Sequence, residues 1–211
     1  MVQKTIKGRT IRFPFALLCS FFFLGGCSEE NEISSPDVSG VAADKKVIEQ
    51  DIEGQVFIVT RGGENVKLGL VKVYFIPDKA KDKIVADDNV QSYFSKMNGL
   101  GKQEGDAYVR ERAREMAFAS LGETMSTLFD KVSSVKRYRT DADGKFNGPI
   151  EAGSYWVFAS SKRSVPGSDQ EIYVWLTRLN IDGDSNTSVI LSNDTLVSSF
   201  TKFYIEFCSI R

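Results

Sequence analysis

The sequence predicts a mostly β protein into which a helical segment is inserted. Stretches of β-branched and aromatic residues recur at residues 55–60, 66–76, 172–181 and 188–191, and residues typical of turns separate them. Apolar residues at helical spacing recur over about residues 86–136. These two periodicities indicate a β fold that carries a helical hairpin.

The first 27 residues are organised differently from the rest of the chain. Four basic residues and no acidic ones precede an apolar run over residues 13–24, and Gly25-Gly26-Cys27 follows. About a dozen apolar residues suit a secretory leader, whereas a membrane span needs about twenty. The arrangement resembles a bacterial lipoprotein signal, which implies cleavage between Gly26 and Cys27 and membrane attachment through acyl chains on Cys27. An ordinary signal peptide or an uncleaved anchor, with an incidental cysteine, is the alternative.

This leader divides the chain into three expected parts. Residues 1–26 are a signal peptide, residues 27–50 are the lipidated cysteine and a polar tether, and residues 51–211 are a β domain with its helical insertion at about 77–136. Ser28 after the cysteine, where some lipoproteins have Asp, resembles the pattern sorted to the outer membrane. We therefore expect a lipid-anchored protein of the bacterial cell envelope, at the outer membrane in a Gram-negative cell. Surface exposure is an open alternative.

Composition limits the chemistry. The leader holds four of the 27 basic residues and none of the 28 acidic ones, so the remaining chain has a formal net charge of −5 and is a poor candidate for binding nucleic acid. The chain has no histidine, which removes histidine-dependent catalysis and the commonest zinc ligand. Of the three cysteines, only Cys208 lies beyond the leader and Cys27. No phosphate-binding loop or hydrolase motif occurs, so we predict a non-catalytic protein without a cofactor.

The β segments are predicted in order along the chain. Residues 55–60 and 66–76 flank a turn sequence, Arg-Gly-Gly-Glu-Asn, and are expected to form a hairpin. Residues 172–181 alternate, with Tyr173 and Trp175 on one face and the aliphatic residues between them on the other.

Two motifs in these segments indicate a family. T-D-A-D-G-K-F occupies residues 140–146, and G-S-Y-W-V-F-A-S occupies residues 153–160. With G-Q-V-F and V-K-V-Y earlier in the chain, this ordered set resembles carboxypeptidase regulatory-like and collagen-adhesin B-type domains. The resemblance implies a transthyretin-like β-sandwich. It also implies that Gly144 is left-handed in a turn between a strand and its return strand, and that Tyr155 points into the core.

Two helices are predicted in the insertion. The first can be capped by Asp87 or Asp88 and has apolar residues at i, i+3, i+4 and i+7, which are Val90, Tyr93, Phe94 and Met97. The second carries an apolar stripe made of Val109, Ala113, Met116, Ala117, Leu121, Met125, Leu128, Val132 and Val135. We favour packing of this stripe on the sheet, Met116 included, over binding of a partner helix or groove. Glu111 and Arg114 are spaced for a weak ion pair.

Two acidic loops are candidate calcium sites. One contains Asp141, Asp143 and Gly144, and the other contains Asp182, Asp184 and Asn186. Calcium needs six or more oxygen ligands, including a late bidentate carboxylate. In the second loop the twelfth position is Asn193, and in both loops ordinary turn chemistry is the favoured interpretation.

Three classes of function stay open from the sequence. A non-catalytic structural or protein-interaction module comes first, and a module that binds carbohydrate or another ligand is the alternative. In that alternative Trp156, Tyr173 and Trp175, with Tyr155, are candidate stacking residues, although alternation predicts that at least half of them lie in the core. A hydrolase is the third class. The partner is expected to be a protein or a glycan, and its identity cannot be read from the chain.

Overall fold

Eight β-strands and four α-helices run through the part of the chain that the structure, a computed structural model, describes. That part is residues 49–100, 106–165, 170–183 and 186–208, and all of it belongs to the compact unit Lys45–Arg211. The strands are β1 Glu49–Val59, β2 Asn65–Lys67, β3 Lys72–Pro77, β4 Lys136–Arg139, β5 Lys145–Glu151, β6 Gly153–Arg163, β7 Glu171–Ile181 and β8 Thr187–Leu191. The helices are α1 Asp78–Ala86, α2 Asp88–Leu100, α3 Ala107–Phe129 and α4 Phe200–Phe203, and a π-helical turn, Tyr204–Cys208, follows α4.

The strands form two four-stranded sheets. In the outer sheet, β1 pairs antiparallel with β2 and β5 and parallel with β8. In the central sheet the order is β4-β3-β6-β7, and every neighbouring pair is antiparallel. Because side chains alternate along a strand, the central sheet can bury both of its faces.

One face of the central sheet packs on the outer sheet and forms the sandwich core. In β3, Val73 and Phe75 point into this core and are fully buried, as are Val157 and Trp175 from β6 and β7. Phe75 lies at the centre of an aromatic group, with the rings of Tyr138, Phe146 and Tyr155 5.5–6.3 Å from its own. The two sheets therefore share one interior, as in a β-sandwich.

The other face of the central sheet is covered by helices and forms the helical core. Tyr74 and Ile76 of β3 and Phe158 of β6 point to this side. The helices and the C-terminal segment supply the facing residues, which include Ile84, Val90, Phe94, Leu121, Met125, Phe129, Phe200, Phe203 and Phe207. The described chain thus has three layers, with the central sheet between the outer sheet and the helices.

The strand predicted over residues 66–76 is divided in two. Its first part, β2, pairs with β1 as the predicted hairpin requires, but its second part, β3, belongs to the central sheet. Between them Leu70 has a φ of 64°. The Thr140 hydroxyl donates to the Leu68 carbonyl at 2.8 Å and accepts from the Val71 N–H at 2.9 Å. This buried hydroxyl therefore provides hydrogen-bond partners for two backbone groups at the point where the chain crosses between the sheets.

The T-D-A-D-G turn forms as predicted, but its strands do not form a hairpin in one sheet. Gly144 has a φ of 72°, which is the predicted left-handed conformation. The Asp141 carboxylate accepts from the Asp143 and Lys145 N–H groups, both at 2.9 Å. However, β4 lies in the central sheet and β5 in the outer sheet, so the turn connects the two layers.

The described part of the insertion contains three helices where two were predicted. Helix α1 was missed because it begins directly after Pro77, where the sequence signals the end of a strand. The expected cap of the next helix is confirmed, since the Asp87 carboxylate accepts from the Asn89 and Val90 N–H groups at 2.9 and 3.3 Å. Helix α3 ends at Phe129, so Val132 and Val135 lie beyond it. In the described residues, no helix is long and apolar enough to cross a membrane.

Candidate functional site

Helix α3 carries the candidate interaction surface, and its own start is well defined. Asp106 is its N-cap, and its carboxylate accepts from the Tyr108 N–H at 3.1 Å. In the C-terminal half of the helix, Ala117, Leu121 and Met125 are buried in the helical core. They are spaced by four residues, so they form one face that packs on the central sheet.

The N-terminal half of α3 exposes large apolar side chains. Tyr108 is 74% exposed, Val109 57% and Met116 65%. The predicted packing of Met116 on the sheet is therefore wrong. Met116 and Leu121 are five residues apart, which turns Met116 about 140° away from the buried face. Val109 and Met116 are seven residues apart and share a face, so the predicted stripe is two different faces of one helix.

Charged residues flank these apolar side chains. Arg112 contacts Glu115 at 2.9 Å, and Arg114 contacts Glu111 at 3.5 Å, which confirms the expected pair. All four side chains are more than half exposed, so the pairs add little stability. We call Tyr108, Val109, Arg112, Glu115 and Met116 the α3 surface. Tyr108 could not be identified from the sequence, because a single aromatic residue at a helix start carries no periodic signal.

A cleft adjoins this half of the helix. It has a volume of about 520 Å³ and lies between the end of α2, the start of α3 and residues 198–201. Its lining includes the apolar side chains Met97, Phe118 and Phe200 and the charged side chains Glu111 and Arg114. An apolar floor beside charges of both signs suits a protein side chain better than a free ion.

An ionic cluster fixes the opposite end of α3 to the central sheet. Asp130, which ends the helix, accepts from the Lys72 ammonium at 2.8 Å and from the Tyr74 hydroxyl at 3.1 Å, and Arg137 lies 3.8 Å away. The hydrogen bond from Lys72, followed by that from Tyr74, lowers the pKa of the Asp130 carboxyl below its ordinary 3.8. Burial raises the pKa of the Tyr74 hydroxyl. The C-terminal half of α3 is thus held by both packing and charge.

The candidate stacking residues do not form an open platform. Trp175 is fully buried in the sandwich core, and its indole N–H donates to the Ser192 carbonyl at 3.0 Å. Tyr155 is also buried there, as the family resemblance implies, and donates to the Glu151 carbonyl at 2.9 Å. The proposed stacking role of Trp175 is therefore wrong, because no ligand in solvent can reach its ring.

Tyr173 and Trp156 are partly buried, and other protein side chains contact their rings. Tyr173 stacks on Trp175 with 5.8 Å between ring centroids and donates to the Glu171 carboxylate. Burial, followed by this hydrogen bond, raises the pKa of Tyr173 to about 12. The Trp156 ring has the Lys81 ammonium 5.3 Å and the Arg178 guanidinium 6.0 Å from its centroid. A sugar would have to displace these contacts before it could stack.

The described acidic residues of the two calcium candidates already contact other protein groups. Asp141 is used by its own turn, and Asp143 pairs with Lys67 at 2.8 Å. In the second loop Asp182 accepts from the Asn180 side-chain amide at 2.7 Å, while Asp184 lies outside the described residues. Across the described ranges, no three His, Cys, Asp or Glu residues are close enough to hold a metal ion. Gly26 and Cys27, the predicted cleavage and lipidation residues, also lie outside the described residues.

A polar groove of about 550 Å³ lies on the outer sheet, on the face away from the sandwich core. Glu53 of β1 stands between Asn147 of β5 and Ser188 of β8. In the next row, Gln55 stands between Lys145 and Ile190. These groups can donate and accept several hydrogen bonds, but among the residues that line the groove none offers an exposed aromatic ring.

Comparisons with known proteins give a general likeness only. No protein-family model matches the chain, and no curated protein matches it. Among solved structures, the chain is similar to a Pseudomonas aeruginosa protein proposed to bind carbohydrate, with 18% identity, a TM-score of 0.40, and coverage of 72% of this chain and 93% of that one. It is also similar to the pilus backbone protein of Streptococcus pneumoniae, with 11% identity, a TM-score of 0.28, and coverage of 69% of this chain and 41% of that one. Both TM-scores are below 0.5, so neither likeness decides a function.

Proposed function

We propose that this protein is a lipid-anchored, non-catalytic interaction module of the bacterial cell envelope, and that a partner protein binds its α3 surface. The exposure of Tyr108, Val109 and Met116 carries the proposal. The three side chains lie along the exposed half of one helix, within about 12 Å of one another along its axis, and large exposed apolar side chains grouped in this way are typical of protein-binding sites. The adjoining cleft, with its apolar floor, provides room for a side chain of that partner.

The proposal also assigns the two sheets to the transthyretin-like class of β-sandwich, with α1 to α3 as its insertion. The left-handed Gly144 and the inward-facing Tyr155 support this assignment, since the family resemblance implies both. The outer-membrane location and the absence of catalysis rest on the sequence, namely on the leader and on the lack of histidine and hydrolase motifs.

Site-specific photo-crosslinking in the producing cell tests the partner site. A photoreactive residue at Met116 should crosslink one partner protein. The same residue at Thr127 should not, because Thr127 is exposed on the C-terminal half of the same helix, away from the α3 surface. Equal crosslinking from both positions, or none from Met116, would contradict the proposed site.

Metabolic labelling tests the anchor separately. Cys27→Ala removes the only sulfur at the predicted cleavage site, so radiolabelled fatty acid should no longer enter the protein and the uncleaved precursor should accumulate. Cys208→Ala is the matched control and should be labelled as the wild type is, because Cys208 is buried in the helical core. Wild-type labelling of the Cys27 variant would rule out the anchor without affecting the partner site.

Carbohydrate binding is the second candidate, and the polar groove on the outer sheet favours it. Paired amide and charged side chains, such as Gln55 and Lys145, match the hydroxyl groups of a sugar in donors and acceptors. A glycan array followed by titration calorimetry would identify a ligand. Gln55→Ala should then weaken its binding, whereas Asn65→Ala on β2, outside the groove, should leave it unchanged.

A further inference from the structure

The edges of the two sheets are protected unequally. Unpaired edge strands can add a further strand, and proteins usually block them with charges, proline or covering segments. In the central sheet, β4 carries three basic residues in four positions. The other edge of the central sheet is β7, and residues 196 and 197 cover part of it. Leu196 forms a β-bridge with Trp175, and the Val197 N–H donates to the Val174 carbonyl at 2.8 Å.

The β5 edge of the outer sheet is also protected. Pro149 has no N–H group, so it interrupts the row of donors. Its carbonyl accepts a hydrogen bond from the Tyr138 hydroxyl at 2.5 Å. The edges formed by β4, β7 and β5 therefore each have a recognisable device against strand addition.

Among the residues that the structure describes, the β8 edge has none of these devices. The sequence of β8 is T-S-V-I-L, without charge or proline, and Ile190 is 56% exposed. Within the described part of the chain, β8 pairs only with β1. A short, neutral edge strand with an exposed isoleucine is a template for an incoming strand.

The register identifies the backbone groups that are open for pairing. On the β8 side of β1, the Val59 N–H donates to the side-chain oxygen of Asn193, and the Val59 carbonyl accepts from the side-chain NH₂ of Asn193. On the opposite side of β1, the Val56 N–H donates to the Gly144 carbonyl. Odd-numbered residues of β1 therefore direct their backbone groups toward β8. Since Glu53 is level with Ser188 and Gln55 with Ile190, the backbone groups of Ser188 and Ile190 point away from β1.

We propose that β8 pairs antiparallel with β8 of a second copy of this chain, about a two-fold axis at Val189. In this register Ser188 lies opposite Ile190 of the second copy and Ile190 lies opposite its Ser188. Because both residues direct their N–H and carbonyl groups outward, the two copies exchange four backbone hydrogen bonds. The two outer sheets then become one eight-stranded sheet.

A second copy suits this edge for two reasons. The five residues of β8 are uncharged, so two-fold pairing brings no like charges together. The pairing is also self-complementary, as an isologous interface requires. The area of a single strand pair is small, so the dimer should be weak in solution and favoured where a membrane concentrates the chains.

Sedimentation velocity across a concentration series tests the dimer, using the unit Lys45–Arg211, which contains both cores. Ile190 and Ile205 are matched for the purpose, at 56% and 57% exposure, and Ile205 lies on the C-terminal π-helical turn. The wild type and Ile205→Lys should dimerise alike. Ile190→Lys places a charge on the pairing edge and should raise the dimer dissociation constant more than about tenfold.

A second variant and a local measurement complete the test. Ser188→Pro removes one outward N–H group that β1 does not use, and it should also weaken the dimer. Amide hydrogen exchange at Ser188 and Ile190 should slow as concentration rises. A wild type that stays monomeric up to about 1 mM would overturn the proposal. Equal association of the Ile190→Lys and Ile205→Lys variants would overturn it as well, because the contact would then lie elsewhere.

Discussion

The two faces of the central sheet are buried by different means. The sandwich core draws its residues from strands spread along the chain, from Ile52 of β1 to Leu191 of β8. The helical core takes its covering residues from two local segments, the insertion and the C-terminal residues Val197–Cys208. The sandwich side depends on pairings that are distant in sequence, whereas the helical side depends on segments that form helices locally and then dock.

The two sides of the central sheet also end differently. On the sandwich side, turns such as the one at Gly144 return the chain directly to the other sheet. On the helical side, α3 is about 35 Å long, and only its C-terminal half is buried in the helical core. The added layer therefore leaves half a helix exposed, and this half carries the α3 surface.

The largest expected effect separates the two halves of α3. Leu121 is fully buried, so Leu121→Ala should leave a cavity and lower the free energy of unfolding by about 2–5 kcal/mol. Leu128 is partly buried, and Leu128→Ala should have an intermediate effect. Met116→Ala should change stability by less than about 0.5 kcal/mol. Urea melts of the three variants measure this, and a large loss from Met116→Ala would place that side chain in the core after all.

The next prediction concerns the sandwich side. Gly144 has a φ of 72°, and a Cβ there would lie 2.4 Å from the Val56 carbonyl oxygen. Gly144→Val should therefore cost more than the roughly 1 kcal/mol of a left-handed β-branched residue. Gly63 is the matched control, because its φ is 82° and a Cβ there would meet nothing within 4 Å. Equal denaturation midpoints for the two valine variants would show that contact with Val56 is unimportant.

Thiol labelling shows whether the helical side opens by itself. Cys208 is the sole cysteine of the unit Lys45–Arg211, and burial raises the pKa of its thiol to about 12. At pH 8 the native unit should react with a thiol reagent at least about 1,000-fold more slowly than the unfolded chain, because only the thiolate attacks. Fast reaction without denaturant would mean that the C-terminal segment separates from the sheet while the sandwich stays folded.

The smallest expected effect is on the charges that hold α3 to the sheet. The pKa of Asp130 is lowered in the folded protein, so its contribution is present above about pH 4, the unfolded value, and is lost as the pH falls through the lower folded value. Asp130→Asn should reduce stability at pH 6 by about 1 kcal/mol or less, since this side chain is 37% exposed. As the pH falls through the folded value, the stabilities of the variant and the wild type should converge. A difference that does not shrink in acid would show that the charge is not its cause.

Local features were predictable from the sequence because short-range chemistry determines them. The left-handed Gly144, the cap at Asp87 and the alternation of β7 each depend on a few neighbouring residues. The C-terminal helical segment was missed although Phe200, Phe203 and Phe207 lie at i, i+3 and i+7, which is a helical spacing. That pattern is brief and follows a series of strands, so it predicts a helix only weakly. The segment is stabilised mainly by packing against the central sheet.

Sequence alone therefore determined that strands flank a helical insertion, the turn chemistry and the alternation that allows a strand to bury two faces. The tertiary structure decided which sheet each strand joins, because strand pairing depends on distant backbone partners that no local pattern specifies. Strands β3 and β4 lie in the central sheet, although β2, which precedes β3, and β5, which follows β4, lie in the outer sheet. The tertiary structure also divided the stripe of α3, since a helix offers several apolar faces and only docking selects the one that is buried.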